Sequence, residues 1–131
     1  MSTSATTKTR RRVAITGIGL VTPVGNDVAA TWDSLLAGRS RGAVISKFDA
    51  SGFATRIAAE VKGFHPDELL GDRKILKYTN PQHRFALVAA EQAFRDAGIR
   101  PTPENGTRWG CAVGAGMMTS EFTDLSVTHA Y

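Results

Sequence analysis

The chain has 131 residues, a single cysteine and a formal charge of +4. That length suits one domain of about 100–200 residues, and 42% apolar with 21% charged residues is the composition of a folded soluble protein, not a disordered one. One cysteine excludes an internal disulfide framework and points to a reducing, cytoplasmic setting; no apolar run approaches the roughly 20 residues of a membrane span or follows the first residues as a secretory leader would, so neither a membrane nor a secreted product is expected.

The positive charge is local. Lys8, Arg10, Arg11 and Arg12 lie in the first twelve residues without an acid, and the other twelve bases are balanced by twelve acids. We read residues 1–11 as a flexible basic tail on a neutral domain. The tail carries no aromatic residue for base stacking, so a nucleic-acid partner is not expected.

Val13-Ala14-Ile15-Thr16 is a short, β-branched apolar run and predicts a buried strand. Gly17, Gly19, Pro23 and Gly25 mark a loop, and residues 17–22 read preferentially as a tight turn. Asn26 suits an N-cap, and Val28, Trp32, Leu35 and Leu36 recur at helical spacing up to Gly38, which predicts an amphipathic helix over 26–37 packed by that face on the first strand. Residues 39–54 read as irregular. Residues 55–62 alternate, with Ile57, Ala59 and Val61 on one face, and predict a half-exposed edge strand. The strongest pattern is a helix over 82–97, with Phe85, Ala89, Ala93 and Ala97 in one row beside Ala86, Ala90 and Phe94, stopped by Gly98 and Pro101. Its small-residue face implies close packing on a sheet or helix. Trp109-Gly110-Cys111-Ala112-Val113 is the third strand candidate. The order β-α-β-α-β predicts an α/β fold with some parallel pairing. A further helical pattern starts at Phe122, Leu125 and His129, and two and a half helices cover a buried sheet poorly, so the residues look like the front of a larger α/β domain.

Few motifs carry chemistry. Gly17-Ile18-Gly19-Leu20-Val21-Thr22 follows a strand as a dinucleotide loop would, yet Thr22 stands where that fingerprint needs its third glycine. A nucleotide-binding α/β module is therefore the remote alternative, and no nucleotide cofactor is expected. Cys111 sits within a predicted strand with no histidine near it in sequence, which fits a buried core thiol better than a nucleophile. His65, His83 and His129 have no metal-ligand spacing, so no metal is expected. Asn105-Gly106-Thr107 fits a glycosylation acceptor but, without a secretory leader, reads as a turn. Arg73, Lys74 and Lys77 form a basic cluster ahead of the long helix, either a solvated helix entrance or a patch for an acidic partner.

Arg11-Arg12-Val13-Ala14-Ile15-Thr16-Gly17-Ile18-Gly19, then Thr22-Pro23-Val24-Gly25-Asn26 and Trp32-Leu35-Leu36-Ala37-Gly38, resemble the N-terminus of the β-ketoacyl-acyl-carrier-protein synthases, of the elongating type and II class in the thiolase-like superfamily. The likeness continues through Phe48-Asp49, Val61, Phe94-Arg95-Asp96-Ala97-Gly98-Ile99 and the stretch from Gly110 to Gly116, over roughly residues 11–125. It implies an incomplete thiolase-like fold, with residues 12–131 forming the N-terminal part of the first half, in a family that is usually homodimeric. It also implies an acyltransferase reaction of fatty-acid or polyketide synthesis: a cysteine takes an acyl chain from acyl carrier protein, and a decarboxylated malonyl unit attacks the thioester. Two histidines and a lysine assist, and no metal is needed.

The family's nucleophile lies in a Thr-Ala-Cys-type segment and its histidines in His-Gly-Thr and Gly-His motifs, none of which occurs in these 131 residues. No catalytic residue carries over, and the chain alone is expected to be inactive. A non-catalytic short paralogue that binds carrier protein or a full-length synthase is the alternative. Two features do carry over as implied by the resemblance. Gly116 and Met117 correspond to the acyl-pocket gate, with Met117 either the gate or an ordinary packed methionine; Met118 and Thr119 stand where the family often has glycines. Arg73, Lys74 and Lys77 correspond to the basic segment that docks acyl carrier protein, with Tyr78 and Pro81 departing from the usual pattern.

Overall fold

A computed structural model describes residues 11–71 and 73–116. The expected basic tail up to residue 10, Met117, and the helical pattern from Phe122 to His129 lie outside the described residues.

Helix α1 spans Val28–Leu36. Asp27, not Asn26, caps it: its extended backbone places the carboxylate to accept from Ala30 N–H at 2.7 Å, a contact worth about 1 kcal/mol. Gly38 closes the helix at φ 62°. Its N–H donates to Leu35 C=O, and Arg39 N–H to Ser34 C=O, the paired bonds of a Schellman ending. A two-stranded antiparallel sheet follows, with β1 at Gly42–Val44 and β2 at Ile57–Ala59 in the register Gly42↔Ala59, Ala43↔Ala58 and Val44↔Ile57. Glu60 pins the sheet's open end by accepting from Ser46 N–H, Ser46 Oγ–H and Lys47 N–H. Those bonds, the Ser46 hydroxyl's first, hold its carboxyl below the usual glutamate range. Short helices α2 (Pro66–Leu70) and α3 (Arg73–Leu76) lead to α4 at Pro81–Ala97, and a 3₁₀ turn covers Gly106–Arg108. Helix α4 starts at Asn80, whose side chain accepts from His83 N–H at 3.0 Å, and ends at Gly98 with φ 66°. Val88 at its middle is fully buried, α2 packs along it, and Phe64 meets Phe85 edge to face at 4.9 Å. None of these helices is long and apolar enough to cross a membrane.

Several expectations are corrected. Residues 13–16 and 109–113 form no ladder, so the β-α-β-α-β order with parallel pairing is not what the described residues adopt. Val13 is 93% and Ile15 84% exposed. A strand exists only through a partner's hydrogen bonds, and among the described residues no segment pairs with either stretch. The strand expected over 55–62 shrinks to three residues, with Ile57 exposed, and its partner β1 lies in the stretch expected to be irregular. Gly42 and Ala43 carry too little side chain to signal a strand in sequence.

The face of α1 is also reversed. Trp32 is 60% and Leu36 71% exposed, while Thr31 and Ser34 are buried at 5% and 6%. On α4, Ala86 and Ala90 face outward, and the covered stripe runs through Phe85, Val88, Ala89, Gln92 and Ala93.

Candidate functional site

The first glycine loop takes its form from α4. A Cβ on Gly17 would stand 2.2 Å from Ala93 C=O, and one on Gly19 only 1.8 Å from Ala89 C=O. Neither glycine has a positive φ. They are therefore needed for close backbone approach to the helix, and the tight-turn reading of residues 17–22 is corrected: the tight turn lies just beyond, at Thr22–Gly25. Between them the chain runs antiparallel to α4: Ile18 N–H donates to Asp96 Oδ2 at 2.9 Å and Leu20 N–H to Gln92 Oε1 at 3.0 Å. Two residues of extended chain rise about 6.6 Å and four of helix about 6 Å, so alternate amides meet side chains one turn apart. Gln92 also donates from Nε2 to Asn26 C=O at 2.7 Å, and Asn26 Nδ2 donates to Lys62 and Gly63 C=O at 3.0 and 2.8 Å. The sequence reading missed Gln92 and Asp96. Their signal was two polar residues at i, i+4 on the small-residue side of a helix.

The turn that follows is held by hydroxyls. Thr22 and Gly25 exchange backbone hydrogen bonds, Thr31 Oγ1 donates to Gly25 C=O at 3.2 Å, and Ser34 Oγ donates to Val24 C=O at 2.7 Å. This knot is what rotates the polar side of α1 inward. With the amides at 18 and 20 already bonded and the glycine spaces filled by α4, the loop offers no cradle for a phosphate.

The basic cluster lies on α3 and the residue after it. Arg73, Lys74 and Lys77 are all exposed. Arg73 reaches Asp67 of α2 at 3.7 Å across the surface. The carbonyl end of α3 is anchored from below: Arg84 Nη2 donates to Leu76 C=O at 2.9 Å, a cation at a helix C-terminus, and Thr79 Oγ1 donates to Ile75 C=O at 3.0 Å. The short helix is thus fastened by its backbone and presents its cations outward, beside exposed Ile75 and Tyr78. Such a surface, mostly cationic with two apolar side chains at its edge, complements an acidic partner.

On the far side of α4, Glu91 accepts from Arg95 Nε at 2.9 Å and Arg100 Nη2 at 2.5 Å, and the Arg100 bond, before that of Arg95, keeps its carboxyl below the usual glutamate range. Arg100 also lies over the Phe94 ring at 5.8 Å.

Cys111 is exposed, which corrects the core-thiol reading: without a ladder over 109–113, none of the described residues covers it. Gly116, half of the expected gate, is exposed at the last described position, and Met117 is not described. His65 and His83 are exposed, and among the described residues no cluster of three or more His, Cys, Asp or Glu could hold a metal ion. The structure brings Arg73, Lys74 and Lys77 together, and among the described residues it gathers no nucleophile, base and orienting group around them.

Comparison with known proteins gives a consistent answer. Residues 10–130 match the family described as the β-ketoacyl synthase N-terminal domain. A 3-oxoacyl-[acyl-carrier-protein] synthase 2 of Coxiella burnetii is 45% identical over 108 residues, 82% of this chain and 26% of that protein. The ketoacyl synthase alpha subunit of the tetracenomycin polyketide synthase from Streptomyces glaucescens is 39% identical over 79% of this chain and 24% of its own length. Among solved structures, the ishigamide ketosynthase/chain length factor superposes with a TM-score of 0.63 at 35% identity, covering 70% of this chain and 23% of that one. The chain thus spans about a quarter of the length of the relatives it matches.

Proposed function

This chain belongs to the β-ketoacyl synthase family, and on that premise we propose that it supplies the amino-terminal part of a 3-oxoacyl-[acyl-carrier-protein] synthase. The whole protein would transfer an acyl group from carrier protein to a cysteine and join it to a decarboxylated malonyl unit in a Claisen condensation, in fatty-acid or polyketide synthesis. The observation that carries this reading is the match of residues 10–130 to the family's N-terminal domain. The likeness to a ketosynthase structure supports a thiolase-like architecture for the whole, and the family's homodimer belongs to the same reading.

Within these residues the part played is recognition and scaffold. Arg73, Lys74 and Lys77 form the docking surface for the acidic acyl carrier protein, and the exposed, backbone-anchored α3 suits that role. Gly116 and Met117 form the gate at the acyl pocket. Cys111 is not the nucleophile. Incubated with acyl and malonyl carrier proteins, the chain yields no ketoacyl product; turnover that survives Cys111→Ser shows another catalyst at work.

Docking is tested by titrating the chain with acyl carrier protein. Exchanging Arg73, Lys74 and Lys77 together for Glu weakens binding by about tenfold or more at low salt, and the wild-type affinity falls as salt rises. Equal binding by the charge-reversed chain overturns the docking role.

A further inference from the structure

Asn105 precedes Gly106, the pairing of residues in which an asparagine side chain is most open to attack by the next backbone nitrogen. In that reaction a bond forms between Gly106 N and Asn105 Cγ, the Cγ–Nδ2 bond breaks, and Nδ2 leaves as ammonia with the amide proton. Water then opens the imide at either carbonyl, leaving aspartate or isoaspartate. Glycine has no side chain to hinder the approach, and the space around Gly106 is open.

The structure opposes this chemistry in two ways. Asn105 Oδ1 accepts from Thr102 N–H and from Trp109 Nε1–H, both at 2.8 Å. Both partners are pure donors, so the orientation of the amide is fixed without ambiguity. The Asn105 backbone stands at φ −112° and ψ −2°. Imide closure needs Gly106 N nearly eclipsed with Cβ about the Cα–C bond, and a ψ near zero holds them about a third of a turn apart. The two donors also draw charge from the side-chain carbonyl, which by itself favours attack. Position decides the outcome, since a carbonyl activated out of reach does not react.

The lock is tied to the domain through Trp109. Its ring packs on Phe94 of α4 at 5.8 Å, and Phe94 lies under Arg100. We propose that Asn105-Gly106 is a masked deamidation site, closed while the Trp109 indole is seated on α4 and opened when it lifts. Opening adds a carboxylate, and for isoaspartate an extra backbone methylene, to the turn that carries Trp109. The inference is independent of the acyl-transfer reading.

The test follows isoaspartate and the 1 Da mass gain at residue 105 in the full chain at mildly alkaline pH. The native chain reacts at least about tenfold more slowly than the urea-unfolded chain, and Trp109→Phe, which keeps a ring but removes the N–H, moves the native rate toward the unfolded one by a factor of about five to ten, the worth of one hydrogen bond. Amide exchange at Thr102 in the wild-type chain reads the same lock without a substitution, and its protection falls with urea in step with the rise in deamidation. Equal native and unfolded rates, or Thr102 exchange that changes independently of deamidation, overturn the proposal. A folded Trp109→Phe chain with the wild-type rate overturns the part assigned to the indole.

Discussion

Residues 17–26 and the outer face of α1 are neighbours in the chain and opposites in their surroundings. The first region carries three glycines and a proline, yet it is fastened from both sides by Gln92, Asp96, Thr31 and Ser34. The second carries Val28, Trp32, Leu35 and Leu36 and leaves all four exposed. Hydrophobic periodicity says that a helix has an apolar side, and says nothing of whether that side meets the nearest segment. Here the nearest segment is a turn with carbonyls to satisfy, and it takes the hydroxyl side.

The harshest way to break this contrast is Gly19→Ala. Its new methyl would lie 1.8 Å from a backbone oxygen of α4, with no flexible side chain to yield. The segment must leave the helix, taking the Ile18 and Leu20 hydrogen bonds with it. We expect a loss of about 3 kcal/mol or more in urea unfolding, above the usual cost of overpacking. A loss below 1 kcal/mol would mean that the segment is not seated on α4.

A paired substitution on α1 sharpens the contrast. Thr31→Val deletes a buried hydroxyl that serves both Gly25 C=O and Thr22 Oγ1, at a cost of about 1–2 kcal/mol. Leu35→Gln, on the apolar side, shifts unfolding by less than about 0.5 kcal/mol and lowers self-association in sedimentation, because it removes exposed apolar surface. The reverse ranking would restore the arrangement read from periodicity.

Sequence was a good guide to the helix ends that a glycine closes. Gly98 ends α4 through a left-handed backbone, a signal that acts within a few residues, whereas the Asn80 cap at its start was not read. Gly38 closes α1 for the same reason. The basic cluster was legible too, since charge at 73, 74 and 77 needs no partner to be seen. What sequence missed depends on distant partners. Residues 13–16 have the composition of a strand but find no ladder among the described residues, and Cys111 lost its cover with the strand expected around it. Gly17 and Gly19 were visible as glycines, but their reason, the carbonyls of Ala93 and Ala89, lies 76 and 70 positions along the chain.

That separation bears on the order of assembly. The bonds from residues 18 and 20 to α4 span 78 and 72 positions. A helix forms in about a microsecond, whereas a contact of that span must first close a long loop against chain entropy. The native bonds make α4 the template on which that segment is measured out, amide by amide, at a closing cost that the segment's other contacts must meet.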